Sequence, residues 1–195
     1  MADNRAFAII QSYQWAQSVI YQGERLFEYF NWQQDAFSKQ YEYFDEYIKT
    51  GNQRFLDLSN QRQNDFQQNR FVRMMEEHFF VIALGKSLDY LKVFPEYSHL
   101  LQEIDNRFSL RKISDLRNMR EHDDEYTSGM GRAQSRFEFL DAAKSHGGDM
   151  TGTLCSPTEY NLGNVEIRSI VAYYKSKILD IEIICQQIME SLPIE

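Results

Sequence analysis

The chain has 195 residues, 43% hydrophobic and 14% aromatic, with three prolines, nine glycines and a formal net charge of -8. That length accommodates one domain with a substantial core and does not require two. The acidic balance excludes a protein that coats nucleic acid by bulk electrostatics.

Two cysteines, Cys155 and Cys185, show neither metal-ligand spacing nor a disulfide framework, which fits a reducing compartment. The opening MADNRAF lacks a charged-then-apolar signal pattern, and no apolar run approaches the roughly eighteen residues of a membrane span. A soluble cytoplasmic protein with no membrane partner is expected. Few prolines and glycines, with abundant Gln, Glu, Tyr and Phe, favour helix over sheet.

From about Asn4 to Tyr47 apolar residues recur at helical spacing (Phe7, Ile10, Trp15, Val19, Leu26, Phe30, Phe37) with no proline to stop them. The aromatic density between Phe27 and Tyr47 exceeds one helix face. Such a stripe serves as a stacking platform for bases or, more commonly, as core or a helix-to-helix interface. Thr50-Gly51-Asn52-Gln53, followed by the polar run from Ser59 to Asn64, predicts a connection or a solvated, broken helix.

A second long helix is expected from Asp65 to Phe94, with Phe71, Met75, His78/Phe79, Ile82 and Leu88/Leu91 as its buried stripe and Pro95 as its end. Glu76, Glu77 and His78 lie on it without a further metal-type ligand at i+4, so His78 is read as a partly buried helix histidine and not as a zinc ligand. A short helix follows from Glu96 to Phe108. Ser114 is the expected N-cap of the next, with Asp115 in its first turn.

Gly129-Met130-Gly131 interrupts the pattern, and Phe137 to Lys144 is expected as another short helix. Between His146 and Gly163 the composition shifts to glycine and turn residues, predicting a loop with short strands around Thr151 to Cys155 and Thr158 to Leu162. The last helix starts near Asn164 and carries a stripe of Ile167, Ile170, Tyr174, Ile178, Ile181, Cys185, Ile188 and Leu192, with Pro193 just past it. Cys185 falls on that stripe and is read as core. The expectation is an all-α, up-and-down helical bundle with a loop or β-hairpin insertion near 147–163. It forms one domain over 1–195, with 1–50 as an aromatic N-terminal extension and 65–192 as the core.

The residues with most chemistry are Arg117-Asn118-Met119-Arg120-Glu121-His122. Cleaving RNA without a metal requires a group that takes the 2'-hydroxyl proton, a group that protonates the leaving oxygen, and a charge that stabilises the phosphorane. Histidine titrates near neutral pH and serves as base or acid, and arginine's fork matches phosphate oxygens. The plainer reading is that Arg117 and Glu121, four apart, are an ordinary surface ion pair. Five residues advance about 140° around a helix, so either Arg117 reaches round or the two groups meet across a cleft or a dimer axis.

Between Arg107 and Arg136 seven basic residues stand against five acidic ones, a local net charge of +2 in an acidic chain. No Gly-rich phosphate loop, Cys/His zinc set or Ser/His/Asp arrangement is present, so no metal and no cofactor is expected.

Arg117-Asn118, three further residues and His122 in an all-helical chain resemble the Arg-x4-6-His signature of the HEPN superfamily, in which a polar residue commonly follows the Arg. One branch of that superfamily carries Tyr two residues after the His, where this chain has Asp124. The resemblance implies a helical bundle, a homodimer with motif helices facing each other, and a metal-independent endoribonuclease of toxin-antitoxin or phage-defence systems, with RNA as substrate and an antitoxin as partner. Carried across, Arg117 would bind and polarise the scissile phosphate, His122 would transfer protons and Asn118 would orient one of them. Arg111, Lys112 and Arg120 are the candidates for RNA backbone contacts. The alternative is a non-catalytic helical interaction protein that binds a protein partner through its aromatic helix faces.

Overall fold

The computed structural model describes residues 2–122, 130, 153–155, 159–163 and 165–192. Among them the fold is all-α apart from one small sheet. Helix α1 spans Ala2–Thr50 and α2 Gln53–Leu91; a 3-10 turn at Pro95–Tyr97 leads into α3, Ser98–Phe108, and α4, Leu110–Glu121. Strands β1 (Thr153–Cys155), β2 (Tyr160–Leu162) and β3 (Val165–Glu166) precede α5, Ile167–Glu190. The expected short helix at Phe137 to Lys144 lies outside the described residues.

The chain divides into two compact units, Met1–Gly23 with Phe79–Glu195, and Glu24–His78. In the first, α1 runs antiparallel to α5: the Cys185 thiol lies 3.5 Å from the Ile9 carbonyl, and Gly23 lies against Val171. The buried positions Ile9, Ser12, Ala16, Val19 and Gly23 alternate steps of three and four, the spacing of a helix that packs along another helix. Phe7 and Ile10, off that seam by two residues and one, are exposed, contrary to the expected stripe.

Pro95 ends α2 as expected and occupies the first turn of the 3-10 element. Tyr97, fully buried, follows it. On α5 the expected stripe is buried at Ile167, Ile170, Tyr174, Ile181, Cys185 and Ile188.

The sheet is antiparallel in the order β1-β2-β3, with Cys155 opposite Tyr160 and Leu162 opposite Val165. Two of its strands fall where the composition shift predicts them; β3 was not expected. Glu166 links the sheet to α5, its carboxylate accepting from the N–H groups of Tyr160 at 3.2 Å, Arg168 at 3.0 Å and Ser169 at 2.6 Å. Burial pushes this carboxyl up, but the Ser169 side chain together with those N–H donors outweighs it and holds the group below the ordinary range.

The second unit is a hairpin of the α1 residues after Gly23 and the α2 residues up to His78. The turn is shorter than expected: only Gly51 and Asn52 are non-helical, and α2 runs unbroken through Ser59 to Asn64. Gly51 adopts φ +66°, a left-handed helix ending that glycine takes without strain, and its N–H donates to the Tyr47 carbonyl at 2.8 Å. The side chain of Asn52 accepts from the Arg54 N–H at 3.1 Å and starts α2.

The seam of this hairpin combines Leu26, Phe30 and Ala36 with buried polar groups, namely Gln33, Ser59, Glu76 and Glu77. Arg25 is ion-paired with Glu76. Arg73 donates to Gln33 at 3.0 Å and pairs with Glu77 at 3.4 Å, and the Ser59 hydroxyl donates to the Gln40 carbonyl at 3.2 Å. The expected α2 stripe is therefore out of phase in its first half, where Phe71, Met75 and Phe79 are exposed, whereas Leu88 and Leu91 are buried as expected. The charged residues face inward because each meets a partner of opposite charge or a hydrogen-bonding group there.

Candidate functional site

The six-residue motif closes α4 and does not open a helix. The corner between α3 and α4 supplies an earlier start than Ser114. The Asp105 carboxylate accepts from the Leu110 N–H at 2.8 Å, and the Ser109 hydroxyl accepts from the Lys112 N–H at 3.4 Å. Ser109 holds φ +61°, the one positive φ among the described non-glycine residues. From there Ile113, Leu116 and Met119 turn inward, while Arg111 and Lys112 are exposed at the start of the helix.

At its other end His122 is the C-cap, its N–H donating to the Asn118 carbonyl at 3.0 Å. Its side chain is exposed; those of Asn118 and Arg120 are half-buried.

Arg117 is held by two carboxylates. Its Nε donates to Glu121 at 3.0 Å, so the pair that the i,i+4 spacing allows is formed. Its Nη1 donates to the Asp89 carboxylate of α2 at 2.7 Å. Only 24% of the side chain is exposed. The carboxylate of Asp89, ahead of the opposing effect of burial, pushes the guanidinium pKa up, and Glu121 adds to it.

Gly85, one turn before Asp89 on α2, provides the bed for this side chain. A Cβ at Gly85 would stand 2.6 Å from Arg117 Cδ, 3.0 Å from Nε and 3.1 Å from Nη1. Nη2 makes no hydrogen bond to a described residue.

Of the expected site residues, Arg117, Asn118, Arg120 and His122 thus share the last turn and a half of α4. Arg111 and Lys112 lie at least about 7 Å further back along the axis, at 1.5 Å per residue. Asp89 and Gly85 were not foreseen. The one signal for them in the sequence is a glycine inside a helical run, which marks a close approach. Among the described residues no cluster of three His, Cys, Asp or Glu side chains could hold a metal ion, and no helix is long and apolar enough to cross a membrane.

A shallow cavity of about 280 Å³ lies at the α3–α4 corner, lined by Arg107, Ser109, Lys112 and Glu166 among others. The Arg107 guanidinium stands 5.3 Å from the centre of the Tyr173 ring. Both carboxylates in this lining, Asp105 and Glu166, are already engaged by backbone N–H groups.

Compared with family models, with curated proteins and with solved structures, the chain matches none.

Proposed function

We propose that this chain is a metal-independent endoribonuclease of HEPN type. Arg117 binds the scissile phosphate, His122 transfers the proton, and Asn118 orients one of these groups. What supports the reading is the end of α4, where Arg117, whose Nη2 makes no hydrogen bond to a described residue, stands five residues before an exposed histidine. The 2'-oxygen gives its proton to a base, bonds to phosphorus and expels the 5'-oxygen, which takes a proton in turn; one histidine, or one from each copy of a dimer, serves both steps.

Arg117 with Asp89 and Glu121 carries a formal -1, so a phosphate meets Nη2 or displaces a carboxylate. Arg111, Lys112 and Arg120 supply further positive charge along the same helix for the RNA backbone. A homodimer, a cytoplasmic location and a role as a toxin or phage-defence component restrained by a protein antitoxin complete the reading. Purified protein is expected to cleave RNA in EDTA, and His122→Ala to abolish cleavage while leaving the helical circular dichroism unchanged. Cleavage that survives His122→Ala would falsify the assignment.

A second reading, a non-catalytic interaction protein, is favoured by the exposed Phe37, Tyr41, Phe44 and Ile48 on the hairpin. Loss of partner binding on replacing Tyr41 and Phe44, with no nuclease activity on any RNA, supports it over the first.

A further inference from the structure

The side chain of Arg117 has two restraints with different reach. Glu121 belongs to α4 itself, and an i,i+4 pair of this kind leaves a long side chain free to lie anywhere along its own helix surface. Asp89 belongs to α2 and lies 28 residues earlier in the chain. Its carboxylate draws the guanidinium off α4 and onto α2.

The guanidinium reaches Asp89 because position 85 has no Cβ: the space a methyl group would fill is taken by Arg117 Cδ, Nε and Nη1. Together the two carboxylates occupy Nε and Nη1 and leave Nη2 without a hydrogen bond to a described residue. That nitrogen is the one a phosphate oxygen can meet without breaking either ion pair.

We propose that Asp89 and Gly85 are the positioning residues of Arg117, a bed and a tether on α2 that aim its Nη2 edge at the phosphate of the RNA substrate. The inference rests on the reading of Arg117 as the phosphate-binding group. Neither residue touches the reacting atoms; both act through the guanidinium. The energetic logic is preorganisation. An arginine with all its torsions free must be ordered when substrate binds, whereas one already fixed at two nitrogens is not.

Two readouts test this. The first is the Arg117 Nε–H resonance in the full chain, followed by nitrogen-15 NMR. It is expected as a resolved, slowly exchanging signal in the natural chain. It should collapse towards the free-arginine position in Asp89→Asn and in Gly85→Ala, and return in part in Asp89→Glu. The second is cleavage of a short RNA in EDTA: Asp89→Asn and Gly85→Ala should lower kcat by about tenfold to a hundredfold, the scale set by ångström misplacement of a catalytic group. KM should move less, and Asp89→Glu should recover part of the rate.

An unchanged Nε–H signal in both variants overturns the proposal. So does full activity of Asp89→Asn under conditions where Arg117→Ala is dead. If the natural chain cleaves nothing, the ribonuclease reading falls, taking with it the aim at a substrate phosphate; the Nε–H signal still decides whether Asp89 and Gly85 hold the guanidinium.

Discussion

The hydroxyls of Ser12 and Tyr97 lie 3.0 Å apart in the buried core, joining α1 to the turn that follows α2. The same tyrosine hydroxyl is 3.5 Å from the Ile181 carbonyl of α5, so one phenol on the turn bridges α1 and α5. Burial pushes its pKa up to about 12 from an ordinary value of 10.0. The folded protein therefore holds a neutral phenol that the unfolded chain ionises at lower pH. That stabilisation is complete below about pH 10 and is lost as pH rises towards 12, at about 1.4 kcal/mol per pH unit for each such group. Tyr173 and Tyr174 are raised by burial as well and add to the slope. Urea midpoints measured across this range should fall steeply for the natural chain and less steeply for Tyr97→Phe. Equal slopes would refute the assignment of this titration to Tyr97.

Gly23 permits the close approach of α1 to α5. An added Cβ would overlap Val171 Cγ2 and meet Phe80 Cε2 at 3.4 Å. Alanine for glycine in an open helix gains about 0.5–1 kcal/mol. Here the overlap reverses the sign, and Gly23→Ala is expected to cost about 1–3 kcal/mol, the usual range for overpacking. Adding Val171→Ala should return part of that loss, which a double-mutant cycle in urea would measure.

Within the hairpin, the two halves of the Arg25–Glu76 pair are unequally buried, at 37% and 7% side-chain exposure. Removing the arginine strands a carboxylate away from water, whereas removing the carboxylate leaves an arginine that can turn to solvent. Arg25→Met is thus expected to cost about 2–4 kcal/mol and Glu76→Met about 1 kcal/mol or less. Unfolding of the two variants with identical midpoints would contradict the asymmetry.

Ser109 sits at φ +61° while capping α4 through a long, 3.4 Å contact. A left-handed conformation costs a non-glycine residue about 1 kcal/mol, and glycine replaces a capping serine at a loss of a few tenths. Ser109→Gly should therefore stabilise the protein by about 0.5 kcal/mol. Circular dichroism melts would show a small rise in Tm, and a fall would mean that the serine hydroxyl contributes more than its geometry implies.

Much of this arrangement is legible from residue types alone. The uninterrupted apolar repeat gives the length of α1, Pro95 gives the end of α2, and the glycine-rich stretch gives the hairpin of β1 and β2, because each rests on local backbone chemistry. The phase of α2 is not legible in that way. Hydrophobicity points Phe71, Met75 and Phe79 inward, but the seam is taken by Arg73, Glu76 and Glu77, and the α1 partners of Arg73 and Glu76 lie 40 and 51 residues away. The start of α4 escapes for a related reason: Ser109 and Asp105 cap it through a strained corner that no local pattern marks. At the site, the motif is readable as a string, but its tether and bed belong to another helix.

The buried repeat of α1 has one irregular step. From Ile9 to Gln33 it alternates three and four, and then it takes a second three, to Ala36, the last buried residue of the helix, before continuing through the half-buried Gln40, Tyr43 and Tyr47. A step of this kind overwinds the repeat. Ala36 and Tyr43 thereby take the inward positions that an unbroken repeat would assign to Phe37 and Phe44. The two phenylalanines that the pattern would have buried are left 46% exposed, so this aromatic surface follows from two successive three-residue steps on either side of Gln33.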